Sequence, residues 1–354
     1  MFRSFSVKNF RCFRELELKP LGRVNLIAGM NNSGKTAVLE ALDFFGNKGS
    51  PQIAFDLNQA RGVSPHRVMT KESCSWMFLD RDIARPIEMT AEAADQEKSL
   101  LKMWIVQRSA GTPEQTPEEE AVRQLGREVY WTGYPYLVSH FVAGDGSEAW
   151  SSALLADTRP YALRSEELKA QACVSLGVSE PLHPLSLEFF SRAEVQGRQE
   201  EVLSTLRYLE PALKRIVLLV LEGEPALYGE VGRKQLVPLT FMGEGVRRVL
   251  SILLAIVSTP RGIILVDEME NGLHHSVQEK VWLAIAHAAR QADAQVFATT
   301  HSYECIQAAH RANKASGSYD LRFFRLDRTK DGIRVGTSDE EIMETAIDMN
   351  LEVR

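Results

Sequence analysis

A mostly parallel α/β sheet, covered by helices on both faces, is predicted by three observations. Val24-Asn25-Leu26-Ile27-Ala28 is a short β-branched run that feeds a glycine loop, Gly29 to Thr36, and the loop opens into a run of strong helix formers. Two further apolar strands, at residues 263–266 and 295–299, alternate with helical patterns at residues 246–257, 276–290 and 303–313. Strands buried on both faces lack polar alternation, so this order means parallel pairing joined by crossover helices.

Residues 2–7 and 15–18 alternate polar and apolar side chains and read as strands ahead of the loop. Residues 36–45 carry Val38, Leu39, Leu42 and Phe45 on one helical stripe, with Gly46 and Gly49 as the stop. Residues 86–89 and 100–106 read as further strands, and 113–126 as a short acidic helix or loop. The pattern divides the chain into residues 1–110, an inserted region 111–210 expected to be mainly helical, and residues 211–354. Residues 185–209 read as one charged helix closed by Pro211, without the heptads of a long coiled-coil arm. The tail reads as a hairpin, residues 321–326 with 333–335, followed by a helix at 339–349. Phe189-Phe190 and Phe323-Phe324 are assigned to the core rather than to base stacking.

A chain of 354 residues with 44% hydrophobic content can bury a large core as one elaborated domain or two ordinary ones. The formal charge of -6 argues against coating nucleic acid by charge alone, so any such contact must be focal. Cys12, Cys74, Cys173 and Cys305 are scattered, which predicts neither a disulfide framework nor a zinc site and fits a reducing cytoplasm. The N-terminus lacks the apolar run of a signal peptide, and the longest apolar run, residues 216–221, is far shorter than a spanning helix. No membrane partner is expected.

Phosphate binding needs converging backbone N–H groups, a helix N-terminus behind them and a cation within reach. Gly29 and Gly34 permit the wrap, Asn31, Asn32 and Ser33 complete the phosphate-binding set, Lys35 supplies charge, and Thr36 offers a hydroxyl to Mg²⁺. Asp267 and Glu268 follow an apolar strand, where ligands sit in open α/β sheets. Asp267 is expected to hold the Mg²⁺ water shell, and Glu268 to orient or deprotonate the water that attacks ATP. His301, behind the third strand, is expected to hydrogen-bond the γ-phosphate or that water. Gly243-Glu244-Gly245 before a helix reads equally as a second phosphate turn or as a flexible turn. His274-His275 reads as a polar helix start, because no third metal ligand is near.

Taken in order, Gly29 to Thr36, Gly243 to Gly245, Asp267-Glu268 and His301 resemble the Walker A, signature, Walker B and switch-histidine series of ABC-type ATPases. Val7-Lys8-Asn9-Phe10-Arg11-Cys12-Phe13 resembles the branch shared by RecF, SMC and OLD proteins, which implies Arg11 as a phosphate or base contact. Asn271-Gly272-Leu273-His274 resembles the D-loop of the OLD and RecF proteins. The nearest resemblance is to OLD-like AAA ATPases of bacterial anti-phage systems such as the PARIS ATPase subunit, over roughly the first 50 residues and everything from about 236 onward.

This resemblance implies an ABC-type P-loop NTPase head that binds ATP and Mg²⁺ and hydrolyses ATP to ADP and phosphate through Lys35, Glu268 and His301. It implies a head-to-tail homodimer or higher homo-oligomer, with ATP between the phosphate loop of one copy and the signature turn of the other. A separate effector, a nuclease or toxin encoded nearby, is the implied partner, because OLD proteins proper continue into a Toprim nuclease and the tail here offers no two-metal acidic set. The alternative is a RecF-like, ATP-dependent DNA clamp in repair, which makes nucleic acid a partner. The family's signature serine falls at Gly243, leaving backbone N–H groups and the helix dipole for that contact. Gln52 and Gln59 are the candidates for a glutamine loop.

Overall fold

Alternation along three short strands divides the interior into two cores. The computed structural model describes residues 1–107, 134–156, 162–164, 173–177, 185–330 and 332–349. Within it, β3 (Val24–Ala28), β13 (Ile263–Val266) and β14 (Gln295–Thr300) are buried along their whole length. Val24, Leu26, Ile264, Val266, Val296 and Ala298 point into one core, and Ile27, Ile263, Leu265 and Phe297 into the other. Side chains alternate across a strand, so a strand that is apolar throughout must be covered twice.

These strands form the centre of a six-stranded sheet in the order β16-β15-β3-β14-β13-β9. Its members β9 (Cys173–Leu176) and β15 (Leu321–Thr329) pair parallel to their neighbours, and β16 (Gly332–Ser338) closes antiparallel on β15. The first core holds α6 (Glu244–Ser258), which precedes β13, together with α7 (His275–Gln291) and α8 (Tyr303–Ala315), which follow β13 and β14. The second lies under α1 (Lys35–Gly46), which is roofed by an antiparallel sheet in the order β2-β1-β4-β5-β6-β7-β8. That roof comprises β1 (Phe2–Phe10), β2 (Phe13–Leu18), β4 (Ile87–Ala93), β5 (Lys98–Gln107), β6 (Pro135–Val142), β7 (Glu148–Leu154) and β8 (Ala162–Arg164). Edge-on ring pairs of Phe2 and Phe5 with Phe45, and of Phe10 with Phe44, at 5.5 to 6.1 Å, lock α1 to the roof. The remaining helices are α2 (Pro51–Ala60), α3 (Lys71–Ser75), α4 (Ser186–Val195), α5 (Gln199–Leu206) and α9 (Glu340–Asp348).

The expected mixed and parallel sheets flanked by helices are present, two finer expectations are corrected, and one further sheet carries little local signal. The region 111–210 is not mainly helical among its described residues: β6, β7 and β8 extend the roof, β9 joins the central sheet, and only α4 and α5 are helical. Tyr136-Leu137-Val138-Ser139-His140-Phe141-Val142 is rich in aromatic and β-branched residues, and it pairs with β5 along its length. The single helix at 185–209 is two, because Gly197 adopts φ +68° between α4 and α5. Residues 215–238 form a separate sheet of β10 (Arg215–Leu221), β11 (Glu224–Glu230) and β12 (Val237–Pro238) that sequence reading did not mark. Its hairpin turns at Glu222-Gly223, both at positive φ, a weaker signal than Asn-Gly or Asp-Gly. The stretch 113–126 lies outside the described residues. Among those described, no helix is long and apolar enough to cross a membrane.

Asp43 on α1 marks where that helix meets β9. A Cβ on Gly46 would fall 2.7 Å from Cys173 Cβ, and Asn47 Nδ2 donates to Asp43 Oδ1 at 2.7 Å. Burial raises the Asp43 carboxyl from 3.8 to about 7, against the opposing bonds from Asn47 and Cys173. A folded-state value above the unfolded one means stability that is present at low pH and lost as pH rises through about 7. Between pH 5 and pH 8, urea titrations should therefore show the native protein losing about 2–3 kcal/mol relative to Asp43→Asn. Parallel pH profiles for the two proteins would show that the carboxyl is not held neutral.

Candidate nucleotide-binding site

Strand register brings three loops to one edge of the central sheet. Thr300 pairs with Ala28, and Val266 pairs with Ala298, so β3, β13 and β14 end nearly level. All three are parallel, and their C-terminal ends release the glycine loop, Asp267-Glu268 and His301 on the same side. This is the side where open α/β sheets bind ligands.

The glycine loop is tight enough to require its glycines. A Cβ on Gly29 would lie 2.6 Å from Leu326 O, and one on Gly34 would lie 2.9 Å from the Phe13 ring, with both residues at positive φ. Asn32 takes φ +61°, a conformation asparagine tolerates better than most residues. Asn31 and Asn32 are exposed, whereas Ser33 is buried with its hydroxyl unpartnered. Gly34 then caps α1, turning the helix N-terminus toward the loop. Lys35 Nζ curls back onto Gly29 O at 2.7 Å and Met30 O at 3.0 Å. Burial lowers its pKa, while Asp267, Glu268 and Glu270 pull it back up, so the ammonium is held within the field of three carboxylates.

Asp267 ties two of the loops together. Its Oδ2 accepts from Thr36 Oγ1 at 3.0 Å and its Oδ1 from Thr299 Oγ1. Octahedral Mg²⁺ holds oxygen ligands at about 2.0–2.1 Å, which places adjacent ligands roughly 3 Å apart, so this hydroxyl and this carboxylate fit one Mg²⁺ shell. Among the described residues, no cluster of three His, Cys, Asp or Glu could hold a metal unaided. That accords with an ion held by one carboxylate, substrate phosphates and water.

Thr299 Oγ1 also accepts from Glu268 N at 2.8 Å. Glu268 sits at φ +47°, which costs a residue with a Cβ on the order of 1 kcal/mol and turns its side chain away from the strand direction. Arg248, buried on α6, clamps the same corner by donating to Asp267 O and, at 2.5 Å, to Gly177 O.

His301 is half exposed at the third strand end. Its Nδ1 lies 3.1 Å from Glu270 Oε1 and 3.9 Å from Glu268 Oε1, and its backbone N donates to Glu270 Oε1 at 2.9 Å. A carboxylate on Nδ1 fixes the ring and leaves Nε2 for a ligand.

Other expected residues stand apart from this cluster. Arg11 is mostly buried: its Nε pairs with Glu40 on α1 at 2.9 Å, its Nη1 donates to Trp76 O at 3.0 Å, and only Nη2 lacks a partner. It braces the turn beside the glycine loop. Gly243 caps α6, and Glu244 and Gly245 lie against Asn271 and Gly272, where a Cβ on Gly245 would meet Gly272 O at 2.5 Å. Gln52 and Gln59 are exposed on α2, with Gln52 bonded to Asp56, and neither is placed with the cluster by any bond. His274 caps α7, accepting from Ser276 N, as a polar helix start should.

Sequence reading missed Glu270, Thr299 and Arg248. Glu270 stands two residues beyond Glu268, and Thr299 follows the apolar run Val296-Phe297-Ala298 near the end of β14; a polar residue at that point was the available signal. Nothing local marks Arg248, because its partners are backbone carbonyls remote in sequence. Thr299→Val is expected to cost about 1–3 kcal/mol in denaturant midpoint analysis, by stranding the Glu268 N–H and one Asp267 oxygen. An unchanged midpoint would remove Thr299 from the network.

Likeness to known proteins agrees with this geometry. Residues 70–306, more than half of the chain, match the family profile described as "AAA domain, putative AbiEii toxin, Type IV TA system". Residues 1–103 match the profile described as "AAA ATPase domain". The chain is similar to an "ATP/GTP phosphatase" of Helicobacter pylori, 22% identical over 335 residues that cover 87% of each protein. It is also similar to an uncharacterized protein of Methanocaldococcus jannaschii, 51% identical over 45 residues, covering 13% of this chain and 20% of that one. In fold it resembles the crystal structure of an SMC head bound to the C-winged helix domain of ScpA, with a TM-score of 0.52, 12% identity, and coverage of 96% of this chain and 98% of that chain. The chain therefore belongs to the AAA-domain family of the first profile, and it is an ATPase.

Proposed function

We propose that this chain is an ATP-driven switch whose nucleotide site is the cluster of Lys35, Thr36, Asp267, Glu268 and His301, and whose cycle controls a separate effector protein. The observation that carries the reading is the Asp267 carboxylate, which bonds Thr36 in the phosphate loop and Thr299 behind Glu268 and so assembles loops 231 and 32 residues apart into one site. The loop N–H groups of residues 29–36 and the α1 N-terminus take the β- and γ-phosphates, and Lys35 leaves the Gly29 and Met30 carbonyls for the phosphate oxygens. Mg²⁺, held by Thr36 and Asp267, would neutralise charge developing on the phosphates.

Glu268 orients the water and accepts its proton as the oxygen bonds to the γ-phosphorus and the bond to ADP breaks. His301, with Nδ1 held by Glu270, presents Nε2 to that water or, when protonated, to a γ-phosphate oxygen.

The switch works through a second copy. A Cβ on Gly243 would meet nothing within 4 Å, and Phe241 and Met30 are 82% and 80% exposed, so the signature turn and the phosphate loop each present open, partly apolar surface. A head-to-tail pair joins one to the other around ATP and parts on hydrolysis, because the γ-phosphate contacts exist only in the ATP state. The family description names an AAA domain and a putative toxin of a type IV TA system, which fits a toxin–antitoxin setting, while the separate effector nuclease or toxin and the anti-phage role rest on the OLD-like resemblance.

Two variants test this. Lys35→Ala should abolish ATP hydrolysis, and retained turnover would sink the site. Glu268→Gln should bind ATP as tightly as the native chain, slow kcat roughly 100-fold or more, and sediment as a dimer only with ATP. A monomer under those conditions would contradict the dimer. Purification of Glu268→Gln with the neighbouring gene product should co-elute that product in an ATP-dependent way, and its absence would argue against the effector.

A further inference from the structure

The cluster accounts for the triphosphate of a nucleotide and leaves the base without a partner. A ribose separates base from phosphate, so the base must land on an element beside the glycine loop. Among the described residues, the turn between β1 and β2 packs on the loop, with Cys12 Sγ 3.1 Å and Phe13 ring carbons 2.9 Å from where a Cβ on Gly34 would sit. The segment after α3 is laid against that turn: Arg11 N donates to Met77 O at 2.7 Å, Arg11 Nη1 donates to Trp76 O at 3.0 Å, and Phe10 bridges Phe78. Arg11 reaches α1 as well, through Glu40, whose other oxygen takes Arg61. Trp76 is thus bonded through its backbone to Arg11, which pairs with the helix behind the phosphate loop and is followed directly by the two residues that pack on that loop.

Its side chain is not used by this packing. Trp76 is 58% exposed, while Phe10, Phe13 and Phe78 around it are fully buried. The ring is nevertheless held. The Arg81 guanidinium carbon lies 4.7 Å from the ring centre, and Arg81 Nε donates to Ser75 Oγ at 3.0 Å. Arg81 reaches this position through two successive non-glycine residues at positive φ, Asp80 at +53° and Arg81 at +60°. Backbone strain of this kind persists where it serves a site. The result is an exposed indole, capped by a cation on one face, beside a phosphate-binding loop.

We propose that Trp76 is the base-stacking residue of the nucleotide site: the purine of the bound nucleoside triphosphate lies on the indole face opposite Arg81. This rests on the nucleotide reading above and adds its base subsite. Every base has a π-face, and the segment offers stacking rather than a hydrogen-bond pattern, so adenine and guanine are accepted alike. The two-ring indole matches a purine better than a pyrimidine in area.

Isothermal titration of the native chain, Trp76→Ala and Trp76→Phe with ATP, GTP and inorganic tripolyphosphate tests this. Trp76→Ala should weaken ATP and GTP by similar factors, roughly 5- to 150-fold, which is the range for loss of one base–aromatic stack. Tripolyphosphate should change less than twofold, and Trp76→Phe should recover most of the nucleotide affinity. ATP binding within twofold of native in Trp76→Ala would overturn the proposal, as would an equal loss for tripolyphosphate, which would mean that Trp76 only props up the loop. If the native chain bound neither ATP nor tripolyphosphate, the nucleotide site itself would fail. Tripolyphosphate bound as tightly as ATP would leave the site standing and remove the base subsite.

Discussion

The parallel register of β3, β14 and β13 is the constraint on which the remainder of the molecule depends. Because Ala28, Thr300 and Val266 end close to level, a glycine loop, a histidine and an acidic pair from distant parts of the chain emerge within bonding distance of one another. A slip of one residue in any strand would exchange its two faces. In β13 it would move Ile264 and Val266 out of the core they share and put Ile263 and Leu265 in their place. Register is thus secured by burial on both sides, and the site inherits its precision from the core.

Asp267 converts that placement into a working geometry. It bonds one threonine from the phosphate loop and another from β14, and its carbonyl is clamped by Arg248 on α6. Strain at Glu268 is tolerated because Thr299 holds the peptide N–H and Arg248 holds the preceding carbonyl. The left-handed turn at Glu268 and the left-handed pair at Asp80 and Arg81 have the same character: each is fixed by a side-chain bond nearby, with Thr299 in the first case and with Ser75 in the second.

Much of this was legible in the sequence because the central strands are short, apolar and punctuated. Gly29 and Gly34 are required by contacts of 2.6 to 2.9 Å, so the glycine loop carries its geometry in its letters. Asp267, Glu268 and His301 were legible as polar breaks after apolar runs. What was hidden depends on pairing between distant segments. The roof strands β6 and β7 sit in a region whose partners, β5 and beyond, cannot be inferred from local pattern, and β10 to β12 join through a Glu-Gly turn with little signature. Arg11, which a motif marks as a ligand contact, has a structural role that local pattern does not carry: its guanidinium ties the turn after β1, α1 and the Trp76 segment together, with Nη2 unpartnered.

The central claim is that Asp267 joins the phosphate loop and the hydrolytic corner into one Mg²⁺-dependent nucleotide site. The most direct measurement is ATP affinity and turnover of Asp267→Asn, each with and without Mg²⁺, beside the native chain. The account predicts that Mg²⁺ strengthens ATP binding and is required for turnover in the native chain, and that Asp267→Asn loses both effects while still binding ATP through the loop and Lys35. An Asp267→Asn protein with native Mg²⁺ dependence and native turnover would contradict it.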